Sequence, residues 1–296
     1  MTTITKPILR ENLVASNKCD RDDTISFDEK KRRFTITTDP TPKCKYLSVT
    51  ALCNSLFEKF DADEIIRKMM AGKNWKPGHK YWGMTPDQIK AQWNTTRDAS
   101  AGQGTDLHHN IECFMNNNFV PNSNCTQSDL LRRHNEVKDS DETLKPLETD
   151  VEWSYFLNFV KDHPDLKPYR TEWLVYDQEA KILGYIDMVY ENPDGTLSLY
   201  DWKRCKDISK VNNWNKFGLN PVVSHLPDTN FWHYATQLNA YKHMVEKNYG
   251  KKVKDMYLVK FHTEDPDNNY ELLRVPALTG EITELFEERR RYVEAL

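Results

Sequence analysis

The chain has 296 residues, of which 38% are hydrophobic, and its formal net charge is −4. This charge excludes a protein covered in positive potential, so any grip on phosphate must come from local clusters of basic residues. The six cysteines form no CxxC pair and show no zinc or iron–sulfur spacing, and no stretch reaches the roughly 18 apolar residues of a membrane span. We therefore expect an intracellular, soluble protein (cytoplasm, nucleus or viral replication site) with reduced thiols, no iron–sulfur cluster and no membrane partner.

Residues 1–84 are predicted to form an N-terminal hairpin and a largely helical elaboration, after a weakly ordered lead that ends near residue 24. The elements predicted there are strands at 24–27 and 33–37 and packing helices at 48–60 and 62–70. Apolar residues at helical spacing carry the two helix predictions, and the helices are expected to serve as scaffold.

A basic and aromatic segment follows these helices. It contains Lys73, Trp75, Lys76, His79, Lys80, Tyr81 and Trp82 around Pro77 and Gly78. Interleaved cations and rings are what a single-strand groove needs, so Lys76, Lys80 and Trp82 are candidate DNA-binding residues. The alternative interpretation is a surface loop whose tryptophans anchor it to the core.

Residues 85–275 have the pattern of an α/β core. A largely helical stretch over 85–115 is expected to be interrupted near Gly102 and Gly104, and the polar stretch 116–150 predicts loops and one exposed helix. The later predicted elements are a helix at 151–160, strands at 170–176, 182–190, 197–203, 253–262 and 270–275, an amphipathic helix at 231–249, and a C-terminal helix within 276–296. We treat 1–296 as a single domain.

The turn between the second and third core strands, at residues 192–195, has the sequence Asn-Pro-Asp-Gly. Proline presets φ at the second turn position, and Gly195 accepts the left-handed conformation that follows. Such a turn commonly forms a three-residue hairpin loop with a bulge. With that loop, Asn192 faces Thr196.

Counting outward from this turn places Asp187 opposite Asp201, with Lys203 on the face of Asp201. A two-residue loop would instead place Asp187 opposite Tyr200 and disperse the acids. Opposed carboxylates are destabilising unless a cation lies between them, and the pair suits Mg²⁺ or Mn²⁺. The alternative, two ordinary solvated acids, is disfavoured because Asp187 is embedded in apolar sequence.

Four short motifs occur together in one order: G-x-x-x-H from Gly104 with I-E at 111–112, G-Y-I-D at 184–187, D-W-K at 201–203, and Q-x-x-x-Y at 237–241. In combination they resemble the motifs of PD-(D/E)xK superfamily nucleases of the RecB-type branch. The chain from about residue 25 onward is similar to exonucleases of large DNA viruses and phages and to the mitochondrial genome maintenance exonuclease. The resemblance implies a restriction-endonuclease-like core, a mixed β-sheet flanked by helices.

The resemblance also implies roles for individual residues. The catalytic residues would be Asp187, Asp201, Lys203, Gln237 and Tyr241. The metal ligands would be His108, Asp187, Asp201 and the Trp202 carbonyl, with supporting roles for Glu172 and Glu112. Apart from this resemblance, His108 could be a buried helix histidine bonded to backbone, and Tyr241 could be explained by packing alone.

Basic and aromatic residues beside the site add further DNA-binding candidates. These are Arg97, Arg204, Lys206, Lys210 and Trp214. The segment after Lys203 is expected to hold a strand through salt-sensitive phosphate contacts, or else to be a solvated loop.

The sequence thus predicts a Mg²⁺- or Mn²⁺-dependent DNA exonuclease acting on single strands or DNA ends, in recombination, repair or viral genome processing. The alternatives are a structure-selective endonuclease and a catalytically idle DNA-binding module.

Overall fold

The computed structural model describes residues 11–28, 33–41, 44–121, 123–265 and 267–296. The helices in these ranges are α1 (Glu11–Ser16), α2 (Val49–Ser55), α3 (Ala62–Met70), α4 (Pro86–Asn117), α5 (Gln127–Val137), α6 (Lys145–Glu148), α7 (Val151–Asp162), α8 (Asn230–Asn248) and α9 (Thr279–Glu294). The strands are β1 (Ile25–Asp28), β2 (Arg33–Ile36), β3 (Leu47–Ser48), β4 (Lys167–Asp177), β5 (Ile182–Glu191), β6 (Leu197–Arg204), β7 (Val253–Phe261) and β8 (Glu271–Arg274).

A mixed six-stranded sheet forms the centre of the fold. Strands β4, β5 and β6 are antiparallel neighbours, β6 pairs in parallel with β7, and β8 returns antiparallel to β7. The parallel pair requires a crossover connection, and α8 lies within it. Strand β3 pairs in parallel with the first residues of β5, while β1 and β2 form the separate hairpin predicted from the sequence.

Helices cover both faces of this sheet and enclose two apolar cores. The first core joins α2, α8 and α9 to the sheet and includes Leu52, Ile186, Leu199, Leu238, Leu258 and Leu285. The second core joins α4, α5 and α7 to the opposite face and includes Ile111, Leu130, Phe156, Met188, Trp202 and Phe261. A mixed sheet between two helical layers, arranged as a restriction-endonuclease-like core, confirms the predicted fold class.

Helix α4 corrects one prediction, because it runs without interruption through Gly102 and Gly104. Thr85 and Gln88 form a capping box at its start. Its last turns are packed in the second core, which includes Leu107 and the residues that follow it. Glycine inside a helix costs only about 1 kcal/mol relative to alanine. Helical structure at both ends of this segment is sufficient to outweigh that cost.

Two other predictions need correction. Helix α5 is not merely exposed, since Gln127, Leu130 and His134 are buried, and the short helix α6 follows it. Residues 11–24 are not a weakly ordered lead: they contain α1 and a 3-10 turn at Asp20–Thr24, held by an ion pair between Asp22 and buried Arg170. Residues 1–10 lie outside the described ranges.

The subdivision into 1–84, 85–275 and 276–296 stays a prediction. Among the described residues, no helix is both long enough and apolar enough to cross a membrane.

Candidate functional site

The hairpin between β5 and β6 has the register that the turn sequence predicts. Asn192 donates its backbone N–H to Thr196 O at 2.8 Å, and Gly195 N–H donates to Asn192 O at 2.9 Å. Gly195 has a φ of 78°, in the left-handed region. The ladder then pairs Met188 with Tyr200, so the two-residue loop and its pairing of Asp187 with Tyr200 are excluded.

The two strands separate just beyond this last pair, where Asp187 and Asp201 would be next. The Trp202 N–H donates to Asp187 Oδ2 at 2.9 Å instead of continuing the ladder. At its far end β5 pairs with β3, through Leu47 and Ile182. The predicted acids are therefore brought to a gap between two diverging strands.

A cluster of three potential metal ligands forms beside this gap. His108 of α4, Glu172 of β4 and Asp187 of β5 offer ligand atoms that all lie within 4.8 Å of one another. His108 Nδ1 is 3.7 Å from Asp187 Oδ2 and 3.8 Å from Glu172 Oε1. Its Nε2 is 2.9 Å from Trp202 O, and because a carbonyl only accepts, this nitrogen carries the proton and Nδ1 faces the acids. The Trp202 carbonyl, predicted as a ligand, thus accepts a hydrogen bond from His108.

Glu172 reaches the cluster because the strand alternation shifts at its position. Trp173 pairs with Ile186 and both pack in the first core, whereas the neighbouring partners Thr171 and Met188 face the other side. In a regular strand, residues two apart share a face. Glu172 has a φ of 43°, a left-handed conformation that is rare for a non-glycine residue and that clusters at functional sites.

Asp201 and Lys203 form a buried ion pair on the α8 side of the sheet. Lys203 Nζ lies 2.5 Å from Asp201 Oδ2, and the Asp201 side chain is 2% exposed. Neither oxygen of Asp201 accepts a well-directed hydrogen bond within the described ranges. The Lys203 ammonium also lies 4.6 Å from the centre of the Tyr234 ring. Asp201 is adjacent to the cluster of three but is not a member of it.

The electrostatics of the site favour positive charge between the acids. Burial opposes protonation of His108, but Asp187 and Glu172 outweigh it and raise the pKa of His108 to about 9. Burial raises the pKa of Asp187, although His108 and Lys203 oppose this, and burial raises the pKa of Asp201 to about 6. Lys203 keeps a raised pKa despite burial because Asp201 and Asp187 stabilise its charge.

Gln237 and Tyr241 of α8 lie against the β5–β6 hairpin. Gln237 Nε2 donates to Tyr241 Oη at 3.0 Å, and Tyr241 is 3% exposed. A Cβ added at Gly184 would lie 2.7 Å from Tyr241 Cε1 and 3.1 Å from Val49 Cγ2. The glycine of the G-Y-I-D motif is therefore needed because the tyrosine of the Q-x-x-x-Y motif packs directly on it.

A cleft of about 510 Å³ opens beside the cluster. It is lined by Ala101, Gly104, Thr105, His108, His109, Glu112 and Glu172. The spacing of the α4 residues among these places one helix face along the cleft. Glu112, predicted as a supporting ligand, is 8% exposed and lies one turn beyond His108.

The predicted DNA-binding residues lie in separate parts of the chain. Lys76, Lys80 and Trp82 lie in the turns between α3 and α4, and Arg97 lies on α4, where it pairs with Asp98. In the connection from β6 to α8, Lys206 pairs with Glu264, Lys210 lies over Phe231, and Trp214 is 81% exposed.

Arg204 departs from its predicted role. Its Nε lies 2.6 Å from Glu152 Oε2 of α7, with only 12% and 9% of the two side chains exposed. Because this guanidinium is largely withdrawn from solvent and paired, we do not include it in a DNA-binding surface.

Tyr234 lies at this site but is not among the candidates predicted from the sequence. The signal was present, since Tyr234 precedes Gln237 by three residues and Tyr241 by seven, the spacing of one helix face. Only the structure shows that this face meets Lys203.

No family model and no curated protein matches the chain. Among solved structures, 17 chains match. One is the crystal structure of a protein from Eubacterium rectale described provisionally as an exonuclease, with 12% identity and a TM-score of 0.31 over 85% of this chain and 79% of that chain.

Proposed function

We propose that this protein is a metal-dependent DNA exonuclease of the PD-(D/E)xK type, of the RecB-type branch, that hydrolyses phosphodiester bonds of single-stranded DNA or DNA ends. One observation carries the proposal: His108, Glu172 and Asp187 meet from three separate elements beside the buried pair of Asp201 and Lys203. Acidic ligands next to a lysine are the groups that metal-assisted phosphodiester hydrolysis requires.

The residues present fit a hard divalent cation such as Mg²⁺ or Mn²⁺. Carboxylate oxygens are the preferred ligands of both ions, and Mn²⁺ accepts imidazole nitrogen more readily than Mg²⁺ does. The oxygens of Asp201 are buried without a well-directed hydrogen bond in the described part of the chain. Lys203 compensates this carboxylate in part, and a divalent cation would offset the remaining cost of burying Asp187 and Asp201 side by side.

Charge balance supports the same conclusion. Glu172, Asp187 and Asp201 bring three negative charges, and Lys203 neutralises one of them. The raised pKa of His108 shows how strongly the acids favour a further positive charge. A divalent ion in place of the His108 proton would leave this group of residues neutral overall, so metal binding and loss of that proton are expected to be linked.

The protein's own residues would position and stabilise the reaction. When bound, the ion would supply Lewis-acid polarisation of the phosphodiester and a water of lowered pKa. The Trp202 N–H fixes Asp187, and the Trp202 carbonyl fixes the His108 ring so that Nδ1 faces the acids. Lys203 would stabilise the negative charge that accumulates on the phosphoryl oxygens.

Activity measurements on Asp201→Asn and Lys203→Ala test this proposal. Each change is expected to lower kcat on a labelled single-stranded oligonucleotide by about 10²-fold or more, as for other transition-state groups. Asp177→Asn is the matched control: its carboxylate is also buried, at the end of β4, but it pairs with Lys247 of α8. Turnover above about a tenth of wild type in either site variant would remove that residue from the catalytic centre.

A second measurement tests the metal site without activity. Mg²⁺ or Mn²⁺ should raise the Tm of the wild type, since a ligand at 100 times its Kd stabilises by about 2.7 kcal/mol. Asp187→Asn should lose this response, whereas His243→Ala, a histidine change on the far part of α8, should keep it. Equal responses in all three proteins would contradict the assigned ligands.

The exonuclease assignment has its own test. Linear single-stranded DNA should be degraded to short products, while a circular single strand of the same sequence should survive. Cleavage of both would favour the structure-selective endonuclease, and metal-dependent binding without cleavage would favour the idle module.

A further inference from the structure

A group of aromatic rings and lysines lies at the far end of α4, outside both apolar cores. We call it the aromatic–lysine platform. Its rings are Phe60, Trp75, His79, Tyr81, Trp82 and Trp93, and its cations are Lys73, Lys76 and Lys80. None of the rings belongs to either core of the described structure.

The rings of the platform pack on one another. Trp75 lies 5.0 Å from His79 and 5.7 Å from Trp82 between ring centres. Trp93 lies 6.0 Å from Tyr81 and donates its indole N–H to the Tyr81 hydroxyl at 2.9 Å. These contacts, with those of Phe60 to Trp93 and of His79 to Tyr81, join the rings into one group.

Much of this apolar surface remains in solvent. Phe60 is 73% exposed and Trp82 is 46% exposed. A cluster of exposed rings is unfavourable in water, and on a soluble protein such a patch marks an interaction surface. The ring faces need a partner that stacks.

The charge around the rings defines that partner further. Residues 72–84 contain Lys73, Lys76 and Lys80 and no acidic residue, in a chain of net charge −4. None of these lysines forms an ion pair with another residue of the described ranges. The segment 72–84 therefore offers lysines without ion-pair partners beside ring faces, the combination that binds unpaired nucleotides through stacking and phosphate contacts.

We infer that the aromatic–lysine platform is a second contact for the substrate, which binds unpaired bases at a distance from the metal cluster. Trp93 and His108 lie on the same uninterrupted helix, 15 residues apart, which places them about 22 Å apart at about 1.5 Å per residue. This inference deepens the proposed function, on which its activity test rests, but its binding test does not depend on catalysis.

The separation makes a strand of minimum length necessary for contact with both places. At the stacked spacing of about 3.4 Å per nucleotide, a strand of about six or seven nucleotides spans the distance from Trp93 to His108. A trinucleotide reaches only the metal cluster, whereas a 20-nucleotide strand contacts both. The platform thus favours long single strands and unpaired tails over short products and blunt duplex ends.

Binding is measured first, by fluorescence anisotropy of a labelled 20-nucleotide single strand in EDTA. Trp82→Leu keeps an apolar side chain but removes the ring and should weaken binding about 5- to 100-fold, as expected for one lost base stack. Trp82→Phe should restore most of the affinity. Tyr292→Leu, which removes an exposed ring from α9, is the matched control and should bind like the wild type.

The lysines are tested by the salt dependence of the same binding. The double change Lys76→Ala and Lys80→Ala should make the slope of log Kobs against log salt shallower by about 1.4, because each phosphate contact to a single strand contributes about 0.7. Lys254→Ala, an exposed lysine paired with Asp194, should leave the slope unchanged.

Cleavage then separates the platform from the catalytic centre. Trp82→Leu should lower kcat/KM for the 20-nucleotide strand while the trinucleotide is cleaved at the wild-type rate. Equal loss on both lengths, wild-type binding by Trp82→Leu, or tighter binding of a blunt duplex than of a single strand would each overturn the inference. If the wild type binds single strands through the platform but never cleaves them, the proposed nuclease function is wrong and the inference about the platform is unaffected.

Discussion

Replacing Gly184 by alanine tests whether two of the sequence motifs are coupled by direct packing. The added methyl would lie 2.7 Å from Tyr241 Cε1, 3.2 Å from Tyr241 Oη and 3.1 Å from Val49 Cγ2. The first distance is shorter than any relaxed contact between carbon atoms, so Tyr241 must move. Tyr241 is 3% exposed and Val49 is fully buried, which leaves little free space for that movement.

Two opposing effects set the size of the expected change. Alanine restricts the unfolded chain and gains about 0.5–1 kcal/mol over glycine within a strand. Overpacking of a dense core costs about 1–3 kcal/mol. The balance is a net loss of up to about 2.5 kcal/mol, or several degrees in Tm for a chain of this size. Displacement of Tyr241 should also disturb the hairpin strand that carries Asp187, so metal affinity should fall as well.

Thermal unfolding and Mg²⁺ titration of the same samples measure both effects. Gly280→Ala is the matched control, because this glycine lies in α9 with no atom within 4 Å of an added Cβ, and it should gain stability. Tyr241→Leu should relieve part of the cost of Gly184→Ala in a double-mutant cycle. Wild-type stability and Mg²⁺ affinity in Gly184→Ala, or strict additivity of the two changes, would refute the proposed coupling.

Three further changes probe the backbone and the charges. Glu172→Gly should relieve the cost of the left-handed conformation and raise Tm, while metal binding falls. The control Asn215→Gly, which relieves a similar φ of 52° on an exposed residue, should raise Tm without a change in metal binding. A lower Tm in Glu172→Gly would contradict the proposed backbone strain. Gly195→Val should weaken Mg²⁺ affinity through the hairpin, because a β-branched residue tolerates a φ of 78° poorly; an unchanged Mg²⁺ titration would remove the link. Burial raises the pKa of Asp177, but hydrogen bonds from the Ala180 N–H and from Asn248 and Lys247 outweigh it and keep this pKa below 3.8, so the stabilisation is present above pH 3.8 and lost as pH falls through the folded pKa. Asp177→Asn should therefore flatten the acid side of the Tm profile.

The parts of the fold that depend on local chemistry could be predicted from the sequence. The three core strands and the turn at Gly195 follow from alternation and turn propensity, which act over a few residues. The register followed from them, because a hairpin loop of known length fixes every pair beyond it. The pairing of Met188 with Tyr200 shows how far that reasoning extends.

The parts that depend on distant contacts could not be predicted in the same way. Gly102 and Gly104 suggested a break in α4 because propensity is local, while the packing that fixes the end of this helix comes from the second core. Arg204 is a DNA-binding candidate in the sequence because it lies beside the predicted site. Its partner in the structure, Glu152, is 52 residues away in sequence. In both cases the deciding interaction connects segments that no sequence window contains.

The cluster of His108, Glu172 and Asp187 also depends on contacts between distant segments. Trp173 and Ile186 must face the first core and Met188 the second, although regular alternation would place Ile186 and Met188 on one face. The change of face has to occur between them, at Glu172 and Asp187, which lie between the pairs Thr171–Met188 and Trp173–Ile186. A regular strand through these positions would expose an apolar side chain that now packs in a core, at a cost of about 1.5–3 kcal/mol. The left-handed conformation of Glu172 costs about 1–3 kcal/mol instead. Because these costs are similar, the packing of two cores is sufficient to hold the strained backbone. Glu172 and Asp187 therefore lie together at the position where neither core buries them.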